Sequence, residues 1–330
     1  MRSVFITGAT GFVGSHTARK FAADGWHVKA LVRRPERPGL LPPGAEVVAG
    51  EIGEAKGYSR FLEGCDAVVH AAGATKARSL SEYRETNARG TAELARASAR
   101  ACPSAMFVLV SSQSAAGPSR DGSPVREVDA PRPVSWYGIS KLEGEEAVAR
   151  ERDGPWCAVR PCVVYGPGDP GLLQLFSLAA RGWAPVLAGG RSRIQVIAAA
   201  DLARVISAAA SRPDLSGRRG FAAGAETTTG ELVSCIASLR HPRARLVPVP
   251  AAMIRAAGWA ESVREAITRR ARPFNRDKAR EILQPDWVCD SAPFLSELGV
   301  ESLADWRSGM RETALWYQRE GWIAPSFAQL

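Results

Sequence analysis

Thr7-Gly8-Ala9-Thr10-Gly11-Phe12-Val13-Gly14 follows directly on a short apolar run at 2–6 and precedes a helical pattern over 15–23. The run is rich in β-branched and aromatic residues and reads as a buried strand. Strand, tight glycine turn and helix make the first half of a βαβ nucleotide-binding unit. Gly8 permits the turn, Gly11 lets the backbone approach a pyrophosphate, and Gly14 lets helix and strand pack closely. Thr10, Phe12 and Val13 lie between them, where free N–H groups at the helix start and the helix dipole attract phosphate charge. The spacing is Gly-x-x-Gly-x-x-Gly, not Gly-x-Gly-x-x-Gly. The plainer alternative is a glycine turn without a ligand.

Working outward, 26–32 reads as a second strand, followed by Arg33 and Arg34. A site selective for NAD usually ends this strand in an acidic residue that accepts from the ribose hydroxyls. Here the position is Val32 and its neighbours are cationic. An arginine fork suits a 2′-phosphate, so the expected cofactor is NADP(H), with NAD(H) as the alternative. Arg33, Arg34 and Arg37 as a solvated basic loop is the competing explanation. Further strands are expected at 46–49, 66–71, 106–110, 156–160 and 220–223, and helices at 83–100 and 136–150. Glu51 and Ile52 follow the third strand, where Glu51 faces an adenine amino group. Ala71, Ala72 and Gly73 close the fourth, small enough for backbone to approach a cofactor. Alternating strands and helices mean an α/β fold with a doubly wound parallel sheet. Its ligands bind outside the carboxyl ends of the strands, where Gly14, Gly73 and Ser112 are expected.

The chain has 330 residues, 45% of them hydrophobic, and a net charge of +9. That is enough for a nucleotide-binding domain and a second lobe. The arginines are scattered among acidic residues and no nucleic-acid motif is present, so the excess suits anionic cofactors or substrates. Six cysteines without Cys-x-x-Cys pairing read as reduced, buried small residues of a cytoplasmic protein. The chain opens on a fold strand, with no signal peptide expected ahead of it. No apolar stretch approaches the ~20 residues that span a bilayer. His16, His27 and His70 read as structural, and no cluster has metal-ligand spacing, so no metal is expected.

Tyr137 and Lys141 lie four apart on a helix that Pro131-Arg132-Pro133 precedes, hence on one face, a turn apart. A phenol ordinarily loses its proton near pH 10. A nearby ammonium favours phenolate and pulls that value down, making Tyr137 a proton donor and acceptor. Ser112, ending the fifth strand, is placed to hold the same substrate oxygen. Beside a dinucleotide turn, this set implies hydride transfer at a carbonyl or secondary alcohol.

The motifs TGATGFVGSH (7–16), HAAG (70–73), TNARGT (86–91), VSSQSAAG (110–117), YGISK (137–141), RPCVVYGPGD (160–169) and ADLARVI (200–206) occur in order over nearly the whole chain. With them the sequence resembles the extended short-chain dehydrogenase/reductase family of the NAD-dependent epimerase/dehydratase type. The resemblance implies a catalytic set of Ser112, Tyr137 and Lys141, with Asn87 a fourth contact. It adds Tyr137, Lys141, Pro161, Val163 and Val164 to the cofactor wall. It implies a Rossmann domain over 1–164 with a strand returning near 219–223, and a smaller, mainly C-terminal α/β substrate lobe from 165–215 and 224–330. Helices at 83–100 and 136–150 often pair between subunits in relatives, so a homodimer is the assembly it allows.

Departures bear on the substrate. Sugar-nucleotide members usually carry an arginine seven positions before the Asp of the Asp-Leu-Ala helix. Here that position is Ile194, with Arg193 beside it, and Asp201 reads as a helix N-cap. Gln113, next to the active serine, stands where dehydratases place an acid. The run 246–250, followed by Met253, Ile254, Ala257 and Trp259, resembles the branch with hydrophobic substrates. Helically spaced apolar residues are more usually a core-facing stripe. Trp183, Trp259 and Trp287 either line a pocket or fill cores and subunit contacts. The expected function is an NAD(P)-dependent oxidoreductase on a small-molecule substrate. A nucleotide-sugar epimerase or dehydratase and a non-catalytic cofactor-binding protein are the alternatives.

Overall fold

Strand β1 (Ser3–Thr7) is buried along its whole length. Its side chains alternate between two cores, with Val4 and Ile6 in one and Phe5 in the other. A strand covered on both faces is the mark of a doubly wound sheet. The computed structural model describes residues 1–327 apart from 36–38, 40, 273 and 301. Arg37 therefore lies outside the described residues.

In chain order β1 is followed by α1 (Phe12–Ala23), β2 (His27–Val32), β3 (Glu46–Ala49), α2 (Ala55–Leu62), β4 (Ala67–His70) and α3 (Leu80–Arg84). A π-helical turn, Glu85–Gly90, runs straight into α4 (Thr91–Ala101). Then come β5 (Met106–Val110), α5 (Gln113–Ala116), α6 (Trp136–Glu151), β6 (Trp156–Pro161) and β7 (Val163–Tyr165). The second half holds α7 (Leu173–Ala180), β8 (Trp183–Leu187), β9 (Arg193–Ala198), α8 (Ala199–Ala210), β10 (Arg218–Ala222) and β11 (Ala225–Thr228). It ends with α9 (Thr229–Leu239), β12 (Arg245–Val249), α10 (Ala251–Thr268), α11 (Arg276–Ile282), β13 (Asp286–Trp287), α12 (Ala292–Glu297) and α13 (Trp306–Arg319).

Seven strands form one parallel sheet in the order β10-β6-β5-β4-β1-β2-β3. The order reverses between β1 and β4, the switch point at which such sheets open a crevice. Thr7 pairs with His70 there, which sets the glycine turn beside 71–73. One face is covered by α1, α8 and α12, with Leu202, Val205, Ile206 and Phe294 in its core. The other carries Tyr58, Leu62, Leu94 and Val148 from α2, α4 and α6. Each fully buried aromatic or aliphatic side chain contributes roughly 1.5–3 kcal/mol.

A third core, with Tyr165, Phe176, Ile236, Met310 and Tyr317, belongs to the smaller lobe. Its sheet joins β7, β9, β11 and β13, and β8 pairs with β12. Val163 and Val164 thus lie in the lobe's sheet, while α8 and α12 pack on the parallel sheet.

Three local expectations change. The first helix starts at Phe12, capped by the extended Gly11, so Gly14 lies inside it and not in the turn. The helix expected over 83–100 is interrupted by the π turn. Asp201 is not an N-cap: Ala198 holds that position. Asp201 Oδ1 accepts from Arg204 at 2.9 Å and Oδ2 from the Ala304 N–H at 2.8 Å. The carboxylate therefore ties the helix to the segment before α13.

Candidate active site

Gly8 and Gly14 make the floor. Gly8 has a φ of +70°, and a Cβ there would fall 2.5 Å from the Ala72 nitrogen. A Cβ on Gly14 would come within 2.0 Å of the Gly8 oxygen. No side chain fits either place, so β1, α1 and the end of β4 meet backbone to backbone. Gly11 closes the turn through its N–H to Gly8 O at 2.9 Å. Above it opens a cleft of about 990 Å³. Gly8, Thr10, Gly11, Arg33, Arg34, Glu51, Ile52, Ala71, Ala72 and Gly73 all line it. Arg33 and Arg34 are exposed there. Ile52 is steadied by the Tyr58 hydroxyl, which donates to its carbonyl at 2.8 Å. The residues fit a dinucleotide: helix-start N–H groups, a backbone too close for side chains, and cations at the rim.

Phe12, Val13 and Gly14 support this cleft from α1 without lining it, and Pro161, Val163 and Val164 lie outside its wall. Glu85 and Thr86 also line it, and neither was singled out in the sequence. Both lie in the π turn, which 3.6-residue periodicity does not reveal.

Beneath the cleft His70 is fully buried between two threonines. Its Nδ1 lies 2.7 Å from Thr7 Oγ1 and its Nε2 2.9 Å from Thr91 Oγ1. Thr91 donates to Asn87 O at 2.7 Å, so the network assigns the ring proton to Nε2. Burial, with Lys141 adding to it, pushes the imidazole down to about 3 and keeps it neutral. His70 is a structural residue, as expected.

The catalytic candidates converge at the carboxyl ends of β4 and β5. Ser135 caps α6, accepting from the Gly138 N–H at 3.1 Å, and starts the helix so that Tyr137 sits in its first turn. Ser112 caps α5, its hydroxyl accepting from the Ser114 N–H at 3.1 Å, and lies near enough to the Tyr137 phenol to lower its proton affinity. Lys141 is buried, with Nζ donating to Val110 O at 2.7 Å. A Cβ on Gly73 would lie 3.8 Å from that Nζ and 3.2 Å from Asn87 Oδ1, which joins the set to the cofactor cleft.

Electrostatics correct one expectation. Tyr137 is not acidified: burial pushes it up to about 12, Ser112 pulls partly against this, and the Glu281 carboxylate adds to it. Lys141 is not among the groups that act on the phenol, and its ammonium donates to the Val110 carbonyl. Burial brings Lys141 itself down to about 8, with Glu145 opposing.

Asn87 is fully engaged. Its Oδ1 accepts from Ala74 N–H at 2.7 Å, and its Nδ2 donates to Ala74 O and Ser140 Oγ, both at 3.0 Å. Ser140 in turn donates to Tyr137 O at 2.8 Å. The amide thus braces the Gly73-Ala74 loop against the helix that carries Tyr137. Next to Ser112, Gln113 is buried and its Nε2 has no partner among the described residues.

The substrate side departs from the sugar-nucleotide pattern. Ile194 is buried in the lobe's core. Arg193 is held by Asp286 at 3.1 Å, by Glu226 at 3.3 Å and by the Gly122 carbonyl. Trp183 and Trp259 are exposed, so neither fills a core. Trp287 is half-buried, its Nε1 donating to Glu281 O at 3.1 Å.

The model of the NAD dependent epimerase/dehydratase family matches residues 4–221. The chain belongs to that family. It is 35% identical over 331 residues to the ceramide reductase of Caulobacter vibrioides (strain NA1000 / CB15N), covering 97% of this chain and 96% of the relative. It is 27% identical over 337 residues to the sterol demethylase protein B of Methylococcus capsulatus (strain ATCC 33009 / NCIMB 11132 / Bath), covering 97% and 100%. Among solved structures, MoeE5 in complex with UDP-glucose and NAD superposes with a TM-score of 0.77 at 24% identity, over 96% of this chain and 99% of that one. The protein is thus an enzyme of the extended short-chain dehydrogenase/reductase type, an oxidoreductase on a Rossmann sheet. Among the described residues no helix is long and apolar enough to cross a membrane, and no group of three His, Cys, Asp or Glu side chains has metal-binding geometry.

Proposed function

We propose that the protein is an NADP(H)-preferring reductase of a ketone, or dehydrogenase of the matching secondary alcohol, on a long-chain lipid of the ceramide class. The observation that carries the chemistry is the convergence of Ser112, Tyr137 and Lys141 beside Gly73 at the cleft. The lipid class is supported by the full-length likeness to a ceramide reductase. The glycine turn at Gly8 and Gly11 would hold a reduced nicotinamide nucleotide, which would supply the hydride. Ser112 and Tyr137 hold the carbonyl oxygen between two hydroxyls, and the Tyr137 O–H gives its proton to that oxygen. A phenol raised to about 12 is protonated at neutral pH, the form from which the reductive direction draws its proton. Lys141 orients the nucleotide ribose. Val32 with Arg33 and Arg34 favours the 2′-phosphate form. Six free cysteines fit a cytoplasmic setting, and a homodimer is the assembly that the family resemblance allows.

The test compares wild type with Tyr137→Phe on a 3-oxo lipid in detergent, following NADPH consumption. A loss of roughly 10²-fold or more in kcat is expected; equal rates would overturn the proposal. Nucleotide-sugar chemistry is less well served, because Ile194 replaces the diphosphate arginine and Arg193 is already ion-paired. Thermal shifts with UDP-, GDP- and dTDP-sugars separate the two.

A further inference from the structure

Helix α10 turns only a narrow face to the protein. Ile254, Gly258 and Glu265 are its buried residues. A Cβ on Gly258 would lie 2.8 Å from Ala279 Cβ, so α10 rests closely on α11. Glu265 accepts from the Arg272 N–H at 2.6 Å and from Asn275 Nδ2 at 3.2 Å. The opposite side is open and apolar. Met253 is 61% exposed, Trp259 63%, Val263 40% and Ile267 77%. Exposed Ala252, Ala256 and Ala260 fill the intervals. Positions 253, 256, 260, 263 and 267 recur every three or four residues and form one stripe along the helix. The sequence-level expectation of a core-facing stripe is therefore reversed: of the residues first noted, only Ile254 is buried.

The polar residues around the stripe are mostly of one sign. Between 243 and 272 there are seven arginines and two glutamates, and no aspartate or lysine. Arg243, Arg245, Arg255, Arg264, Arg269 and Arg270 are exposed, whereas Glu265 is buried and the half-buried Glu261 lies 3.5 Å from Arg264 and 3.6 Å from Arg272. At the α-helical rotation per residue, Arg255 and Arg264 fall on the two sides of the stripe. A continuous apolar face is uncommon on water-facing surfaces. A large aromatic at its margin and flanking arginines describe a helix that lies in the plane of a bilayer interface. The helix is not apolar enough to cross one.

Its position is also apt. On α11, Asp277 Oδ2 accepts from the Trp136 N–H at 2.9 Å, one residue before Tyr137. The helix pair α10–α11 thus forms part of the wall beside the catalytic tyrosine.

We propose that the exposed face of α10, with Met253, Trp259, Val263 and Ile267 inserted and the flanking arginines on lipid phosphates, docks this enzyme on an anionic bilayer surface. This goes beyond the activity proposed above and does not require it, because binding is read without turnover.

The experiment sediments the full chain with vesicles of phosphatidylcholine, alone or with added phosphatidylglycerol. Wild type is compared with the triple variant Trp259→Ser, Val263→Ser, Ile267→Ser and with the double variant Arg255→Glu, Arg264→Glu. NADPH-induced thermal shifts, expected to be unchanged, confirm that each variant is folded. Wild type should favour the anionic vesicles roughly tenfold, with the preference reduced by salt. The triple variant should lose roughly tenfold in recovery, and the double variant should lose the anionic preference. Recovery of the triple variant equal to wild type, equal binding to both vesicles, or no binding by wild type would each overturn docking. Light scattering gives the remaining outcome: a wild-type dimer that the triple variant breaks, with no vesicle binding, would make the face a contact between copies and overturn the proposal. A chain that binds vesicles yet turns over no lipid ketone refutes the activity alone.

Discussion

Lys141 bears a cost of burial. Its folded pKa lies at about 8, below the 10.5 of a free lysine. The folded chain therefore holds this proton less tightly than the unfolded chain does. The cost is complete below pH about 8 and fades as pH rises from about 8 to 10.5. Removing the ammonium should relieve up to ~3 kcal/mol at neutral pH, less about 1 kcal/mol for the lost bond to Val110 O. Lys141→Met is thus expected to be more stable than wild type at pH 7, to converge with it toward pH 10.5, and to be catalytically impaired. Urea denaturation at several pH values, paired with rate assays, checks this. Gly14 behaves oppositely. Gly14→Ala has nowhere to put a methyl group 2.0 Å from the Gly8 oxygen. It should cost ~1–3 kcal/mol or more and abolish NADPH binding, measurable by denaturation and by fluorescence titration.

At the level of elements, β5, α6 and β6 are clamped by charge where their active-site ends meet. Glu145 accepts from Arg160 Nε at 2.9 Å, Arg160 Nη2 at 2.6 Å and Ser111 Oγ at 2.5 Å. Both charges are buried. A buried pair is not strongly stabilising as a whole, but removing one partner strands the other. Arg160→Leu should therefore lose ~3–5 kcal/mol, whereas Arg160→Leu combined with Glu145→Leu should lose less; denaturation curves of the two variants decide it. The π turn is the other device at this scale. Asn87 sits on it and spends its whole amide on Ala74 and Ser140, so that loop and helix α6 are held in register.

For the molecule as a whole, the nucleotide cleft and the face proposed to meet a membrane lie on different surfaces, the parallel sheet's crevice and the smaller lobe's outer helix. Binding of NADPH to the folded state alone should raise stability by about 2.7 kcal/mol at a hundredfold excess over Kd. The thermal shift is expected to be larger for NADPH than for NADH. Arg33→Ala with Arg34→Ala should erase that difference without lowering the NADH shift; an unchanged preference would remove the arginines from cofactor selection.

The sequence alone determined the parallel sheet and its glycine turn, and it singled out Ser112, Tyr137 and Lys141 as candidates, because these readings rest on local rules. Strands buried on both faces read as apolar runs, a turn without room needs glycine, and residues four apart on a helix share a face. The residues from Gly8 to Gly73 that line the cleft were legible for that reason. What local rules do not carry was decided by tertiary structure. The π turn depends on partners that Asn87 and Thr91 find across the chain. Asp201 caps nothing because Ala304 and Arg204 compete for it. The proton affinity of Tyr137 follows burial, Ser112 and the Glu281 carboxylate, not spacing. Whether an apolar stripe faces a core or solvent depends on what packs against it, and on α10 nothing in the described chain covers Met253, Trp259, Val263 or Ile267.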